Sequence, residues 1–153
     1  MSIVNTLALE SNRQIKINFD GGDLSSDAGL LLIKEFRSKL GIDTLLDKAF
    51  KTNGPSALFR YHTDQKNLLR MIYMIIAGYF EDDASDELTN DPVFKSALEK
   101  DALASQPAVS GFFNRMDKDT LNQFPAIGKV LRKKIYSIII KAMVIIRLSV
   151  MMR

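Results

Sequence analysis

Asp64 to Phe80 reads DQKNLLRMIYMIIAGYF, and in it Leu68, Leu69, Ile72, Tyr73, Ile75, Ile76, Tyr79 and Phe80 recur at i, i+4, i+7 and i+8. That period belongs to an α-helix. The spacing predicts a helix over residues 65–80 with Asp64 as its cap, and Met71 and Met74 make it apolar almost all round. A helix of that kind is the buried centre of a bundle. It is shorter than the ~20 apolar residues of a membrane span, and Arg70 and Gly78 punctuate it.

Toward the N-terminus, Ile15, Ile17 and Phe19 alternate with Lys16 and Asn18, the period of one short strand with a single buried face. Asp20-Gly21-Gly22-Asp23 then supplies the positive-φ positions of a tight turn. Ser25 or Ser26 caps the next helix, which runs to Leu40 with Gly41 as its stop. Leu30, Ile33, Phe36 and Leu40 form its apolar stripe, widened by Leu31 and Leu32, and Lys34, Glu35 and Arg37 are expected to face water. A second short helix after Asp43 buries Leu45, Leu46 and Phe50, and Asn53-Gly54-Pro55 closes it.

Toward the C-terminus, the acidic stretch Glu81, Asp82, Asp83, Asp86 and Glu87 has no turn glycine inside it, unlike a Ca²⁺ loop, and reads as a solvated face. Asp91-Pro92 starts a helix with the acid as cap and the proline at the first helical position. Ser105 with Pro107 starts another, through Met116. Two short helices at 92–99 and 106–116, joined by Lys100 to Ser105, have the outline of a helix-turn-helix. The second offers Gln106, Ser110, Asn114 and Arg115, side chains able to reach bases or phosphates, while Phe112 and Phe113 anchor it to the core. A helical hairpin of any α-rich domain has the same pattern.

The charge is lopsided. The net of +3 divides into −4 over residues 1–128 and +7 over residues 129–153, where there is no acid. Lys129, Arg132, Lys133 and Lys134 make a compact basic patch, read equally as a phosphate contact or as a solvated helix face. From Ile135 to Met152 the chain is apolar and branched, broken only by Ser137, Lys141, Arg147 and Ser149, and Val144 to Val150 has the look of a buried strand.

The composition excludes several classes of chemistry. The chain has 153 residues, 46% hydrophobic and 25% charged, which is ordinary for a globular domain. Cys is absent, ruling out disulfide scaffolds, thiolate zinc sites and cysteine nucleophiles. His62 is the single histidine and reads as an exposed loop residue. No Gly-rich phosphate loop or nucleophile elbow is present. The start, MSIVNTLALESNR, lacks the basic n-region of a signal peptide, so the expected compartment is the cytoplasm.

The stretches IKINFDGGDLSSDAGLLLIKEFRSKLG (15–41), LLRMIYMIIAGYFEDDASDELTNDPVFKSAL (68–98) and LASQPAVSGFFNRM (103–116) resemble the N-terminal region of bacterial insertion-sequence transposases. The most similar group is the insertion-sequence family numbered thirteen-eighty, within the DDE transposases of group 1, and the likeness covers residues 13–137. It implies an RNase H-like catalytic domain in which three carboxylates hold two Mg²⁺ ions for in-line attack on phosphodiesters. The first acids of such enzymes lie on a strand of the type V-I-x-D-x-D. Here Val144-Ile145-Ile146-Arg147-Leu148-Ser149 stands in about that place, with Arg147 and Ser149 where acids are expected. Gly111 and Phe113 also stand where family members often carry a basic residue and an acid.

The expectation is therefore a mainly α chain with a short N-terminal β element, the RNase H-like catalytic domain being largely absent. Residues 1–134 form a helical transposase domain. Residues 135–153 form an apolar basic tail, either a remnant of the first catalytic strand or a frameshift product. The resemblance implies a truncated transposase that binds DNA at transposon terminal repeats, through Gln106, Ser110, Asn114 and Arg115 with Lys129, Arg132, Lys133 and Lys134 on the backbone. No catalytic or metal-binding residue is expected in this chain, and no cofactor, Mg²⁺ belonging to the intact enzyme. Partners are DNA and a second copy or an intact transposase, with a membrane disfavoured. The alternatives are a non-catalytic module regulating an intact transposase and a peripheral membrane protein using the tail.

Overall fold

The computed structural model describes residues 6–18, 27–54, 61–80 and 88–151. The fold is mainly α with a two-stranded antiparallel sheet at its N-terminal end, as expected. Strands β1 (Thr6–Ala8) and β2 (Lys16–Asn18) pair with Leu7 opposite Ile17. The alternation around Ile17 announced β2, whereas TLA carries no alternation and β1 went unseen. Phe19, the turn at 20–23 and the capping serines lie outside the described residues.

Helix α1 (Leu30–Leu40) stops at Gly41, whose φ of 60° is left-handed and gives α2 (Ile42–Ala49) its start. Leu46 and Phe50 are buried and Leu45 half-buried, as expected. The facing of α1 is a correction. Lys34 and Arg37 are buried (2% and 4% exposed), and Phe36 is half-exposed. The reason is the C-terminus of α4 (Pro92–Leu98), which packs on α1. Its last carbonyls have no partner within their own helix. Lys34 Nζ donates to the Ser96 carbonyl at 2.8 Å, and Arg37 donates to that of Ala97 at 2.9 Å. Two cations on the inner face thus close a neighbouring helix.

Helix α3 (Asp64–Ala77) sits at the centre, packed by α1, α2, α4 and α5 (Gln106–Phe113). Its cap is Thr63, not Asp64: the threonine hydroxyl accepts the Lys66 N–H at 3.3 Å. Asp64 is the first helical residue and is buried. Gly78, at φ 91°, ends the helix. Leu68, Leu69, Tyr73 and Met74 are buried with Phe50, Phe94 and Phe112. The all-round burial expected of α3 does not hold, because Ile72, Ile75 and Ile76 face outward.

The acidic stretch 81–87 lies outside the described residues. After a 3₁₀ turn at Leu88–Asn90, Asp91 caps α4 by accepting the Phe94 N–H at 2.8 Å, with Pro92 first in the helix, as expected. Helices α6 (Lys118–Leu121) and α7 (Phe124–Met151) complete the chain. Helix α7 is 28 residues, about 42 Å at 1.5 Å per residue. The strand reading of Val144 to Val150 is corrected, since this backbone is helical. A lone strand leaves its N–H and C=O groups unpaired, and a helix pairs its own. No backbone break falls at residues 134 and 135, yet burial ends there: Ile127, Leu131, Lys134 and Ile135 touch the body, and residues 136–147 are all exposed.

Candidate nucleic-acid interface

Helices α4 and α5 form within the ranges the sequence marked, and both rest on α3. Their connection runs from Glu99 to Ser105, longer than the roughly 3–4 residue turn of a helix-turn-helix. Glu99 takes φ 57°, the one non-glycine residue in the left-handed region among those described, and turns the chain sharply away from α4. Ser105 supplies the extended backbone of an N-cap, although its side chain makes no capping bond. Val109 and Phe112 point inward, which leaves Ser105, Pro107, Phe113 and Asn114 exposed.

The four α5 candidates part company here. Gln106 Nε2 donates to Ser110 Oγ at 3.2 Å, joining the two on one half-buried face. Asn114 is exposed at the C-cap. Arg115 turns away from solvent: Nη2 stands 2.5 Å from Asp64 Oδ1, and Nη1 donates to the Gly111 carbonyl at 2.5 Å. Thr52 Oγ1 donates to the other oxygen of Asp64. Asn53 N–H donates to the Arg115 carbonyl at 3.3 Å, and its amide donates to Asp117. The Arg115 charge ties α5 to the start of α3, a bond inside the fold that the sequence did not announce.

The basic patch lies on the first turns of α7. Lys129, Arg132 and Lys133, at i, i+3 and i+4, are exposed and make no ion pair among the described residues. Such spacing places three cations along one edge of a helix. Lys134 is set apart. Its Nζ donates to the Leu40 carbonyl at 2.6 Å, closing the C-terminus of α1 beside Gly41. The Phe50 ring lies between the two candidate surfaces, with its centroid 6.2 Å from Phe112 of α5 and 5.7 Å from Phe124 of α7.

One cation near this edge escaped sequence reasoning. The Lys51 backbone exchanges two hydrogen bonds with the Gln123 side chain (2.7 and 2.9 Å), which fixes an exposed lysine beside the start of α7. That pairing spans 72 positions, and no local signal announces it. His62 is half-buried, with its ring edge-on to Tyr61 at 4.7 Å. Burial, with Lys100 and Arg70 nearby, holds its pKa below the usual imidazole value. Among the described contacts it has no carboxylate partner.

The sequence matches the family described as transposase DDE domain, group 1, over residues 7–148. The chain belongs to that family of transposases. Compared with curated proteins and with solved structures, it finds no match in either. Among the described residues no three His, Asp or Glu side chains gather as a metal site requires. Arg147 also stands on exposed helix where the resemblance expects a carboxylate. The described residues alone do not assemble a two-Mg²⁺ centre. No helix among the described residues is long and apolar enough to cross a membrane.

Proposed function

We propose that this chain serves DNA transposition by contacting DNA, as part of an insertion-sequence transposase of the thirteen-eighty kind, and that its 153 residues contribute binding rather than strand transfer. The observation that carries this reading is the exposed edge of Lys129, Arg132 and Lys133 on α7. Three cations along about one turn of helix suit the phosphate spacing of a duplex, and their binding releases condensed counterions. Asn114 and the Gln106–Ser110 pair supply hydrogen-bonding groups on α5, the kind that read base edges or grip phosphates. The terminal repeats of a mobile element are the substrate this family membership favours, and the cytoplasm is the compartment.

The test is fluorescence anisotropy of the purified chain on a labelled 30-base-pair duplex, titrated with salt. The expected result is an affinity that falls steeply with log salt, with a slope reduced by about three in the K129A/R132A/K133A variant. Binding that ignores salt, or a triple variant that binds like the parent, overturns the reading.

A further inference from the structure

The same chain carries two uncovered apolar surfaces that cannot reach each other within one copy. The first is the outer half of α7, where Ile138, Ile139, Ile140, Met143, Val144 and Ile145 are all exposed, Ile145 to 66%. The second is a groove of about 340 Å³ between α1, α2, α3 and the root of α7, lined by Ile33, Phe36, Ile72, Ile76, Phe124 and Leu131. Phe36 and Ile76 stand half-exposed on its rim, with Leu32 and Ile75 beside it. The root of α7 forms one wall of the groove. The helix then runs on with neither Gly nor Pro after Gly128. Its outer half therefore points away from the groove, and folding back would break the helix.

We propose that a second copy of this chain fills the groove: the outer half of α7 from each protomer lies in the groove of the other, giving a closed two-fold pair. The spacing on the arm is that of a helix laid in a groove. Ile138, Ala142 and Ile145 fall at i, i+4 and i+7, with Ile139 adjoining. Lys141 and Arg147 are six residues apart, roughly 120° around the helix, which leaves this apolar arc free of charge. Seating one such face against the groove covers the exposed Ile138, Ile139 and Ile145 on one side and Phe36, Ile72 and Ile76 on the other, on the order of half a standard interface. Two reciprocal contacts reach roughly 1,600 Å², the size of a standard stable interface. Pairing arm against arm covers only about half of that and leaves both grooves open, so the area favours exchange. A patch that meets a different patch on its partner closes when the exchange is reciprocal.

The experiment is sedimentation velocity of the full chain at micromolar concentration, with circular dichroism confirming that each variant keeps its helix content. The parent is expected to be a dimer. I138E/I145E on the arm and I76E on the groove rim each weaken dimerisation by at least about tenfold. Mixed together, those two variants recover a heterodimer through the one intact arm and the one intact groove. The natural chain has no cysteine, so I76C and I145C give a second readout that does not depend on charge in the groove. Mixed single-cysteine proteins are expected to cross-link between positions 76 and 145 with a short bis-maleimide, ahead of 145 with 145. A groove variant that dimerises like the parent, or preferential 145–145 cross-linking, overturns the proposal in favour of arm-to-arm pairing. A monomer that floats with phosphatidylglycerol vesicles overturns it in favour of a lipid surface, and an open polymer overturns the closed pair.

Discussion

The Arg115 guanidinium, at the end of α5, stands 2.5 Å from the Asp64 carboxylate at the start of α3, 51 positions away in the chain. The side chains are only 21% and 9% exposed. Removing one partner of such a pair strands the other charge in a poor solvent. R115M is therefore expected to lower unfolding stability by about 2 kcal/mol, less than a fully buried pair loses because water still reaches the guanidinium. The urea midpoint should fall with no change in slope. Adding D64N to R115M should cost little more than R115M alone, since the stranded charge is gone. DNA affinity measured well below the melting temperature should be unchanged.

Lys34 supports a second prediction of the same type. Its ammonium donates to the Ser96 carbonyl and pairs with Glu99 at 3.2 Å, all at the C-terminal end of α4 where the helix dipole is negative. K34M keeps the apolar stem and loses the donor, leaving a part-buried carbonyl without it. The expected loss is about 1–3 kcal/mol, read in urea, and hydrogen exchange should quicken in α4 before it does in α3.

These two cations show where sequence reading ran out. Helix periodicity found α1, α3, α4 and α5 because each is long enough, or well enough capped, to be stated locally. Gly41, Asp91 and Pro92 mark ends whose cause lies within a residue or two. The facing of Lys34 and Arg37 depends on carbonyls some 60 positions away, so composition alone sent them to water. The ion pair of Arg115 was hidden for the same reason: a cation at a helix end looks alike whether it meets phosphate or a buried aspartate. The exposure of Lys129, Arg132 and Lys133 was legible because exposure is the default for charge and nothing distant claimed them. Val144 to Val150 was read as strand from its branched side chains, a weak preference that the self-paired backbone of a helix outweighs.

The pH response should fall on the acid side. Asp117 caps α6, accepting the N–H and hydroxyl of Thr120 at 2.8 and 2.9 Å, which hold its pKa below the ordinary 3.8. Glu35, bonded by the Ser11 N–H and hydroxyl, is held below 4.5 in the same way. A carboxyl with a lowered folded pKa adds stability that is complete above its unfolded value and lost as pH falls through the folded one. His62, held below 6.5, acts in the same direction over a higher window, because the folded state disfavours its charge. Thermal midpoints should decline as pH falls below 6.5 and decline further below about 4.5. H62Q should remove the first decline, and D117N with E35Q should flatten the second while lowering the midpoint at neutral pH.

Lys133 and Lys134 are neighbours in sequence with opposite assignments, and comparing them separates binding from folding. Lys133 is exposed on the edge proposed to meet phosphate, while the Lys134 ammonium closes α1 through the Leu40 carbonyl. K133A should leave the urea midpoint within about 0.5 kcal/mol of the parent, as surface substitutions do. It should reduce the salt slope of DNA binding by about one. K134A should do the reverse, costing about 1 kcal/mol for the lost hydrogen bond and leaving the slope alone. If the two variants behave alike in both assays, the division of this basic patch into a binding edge and a structural clasp is wrong. Net charge alone would then account for its attraction to DNA, since both variants remove one positive charge from adjacent positions on the same helix.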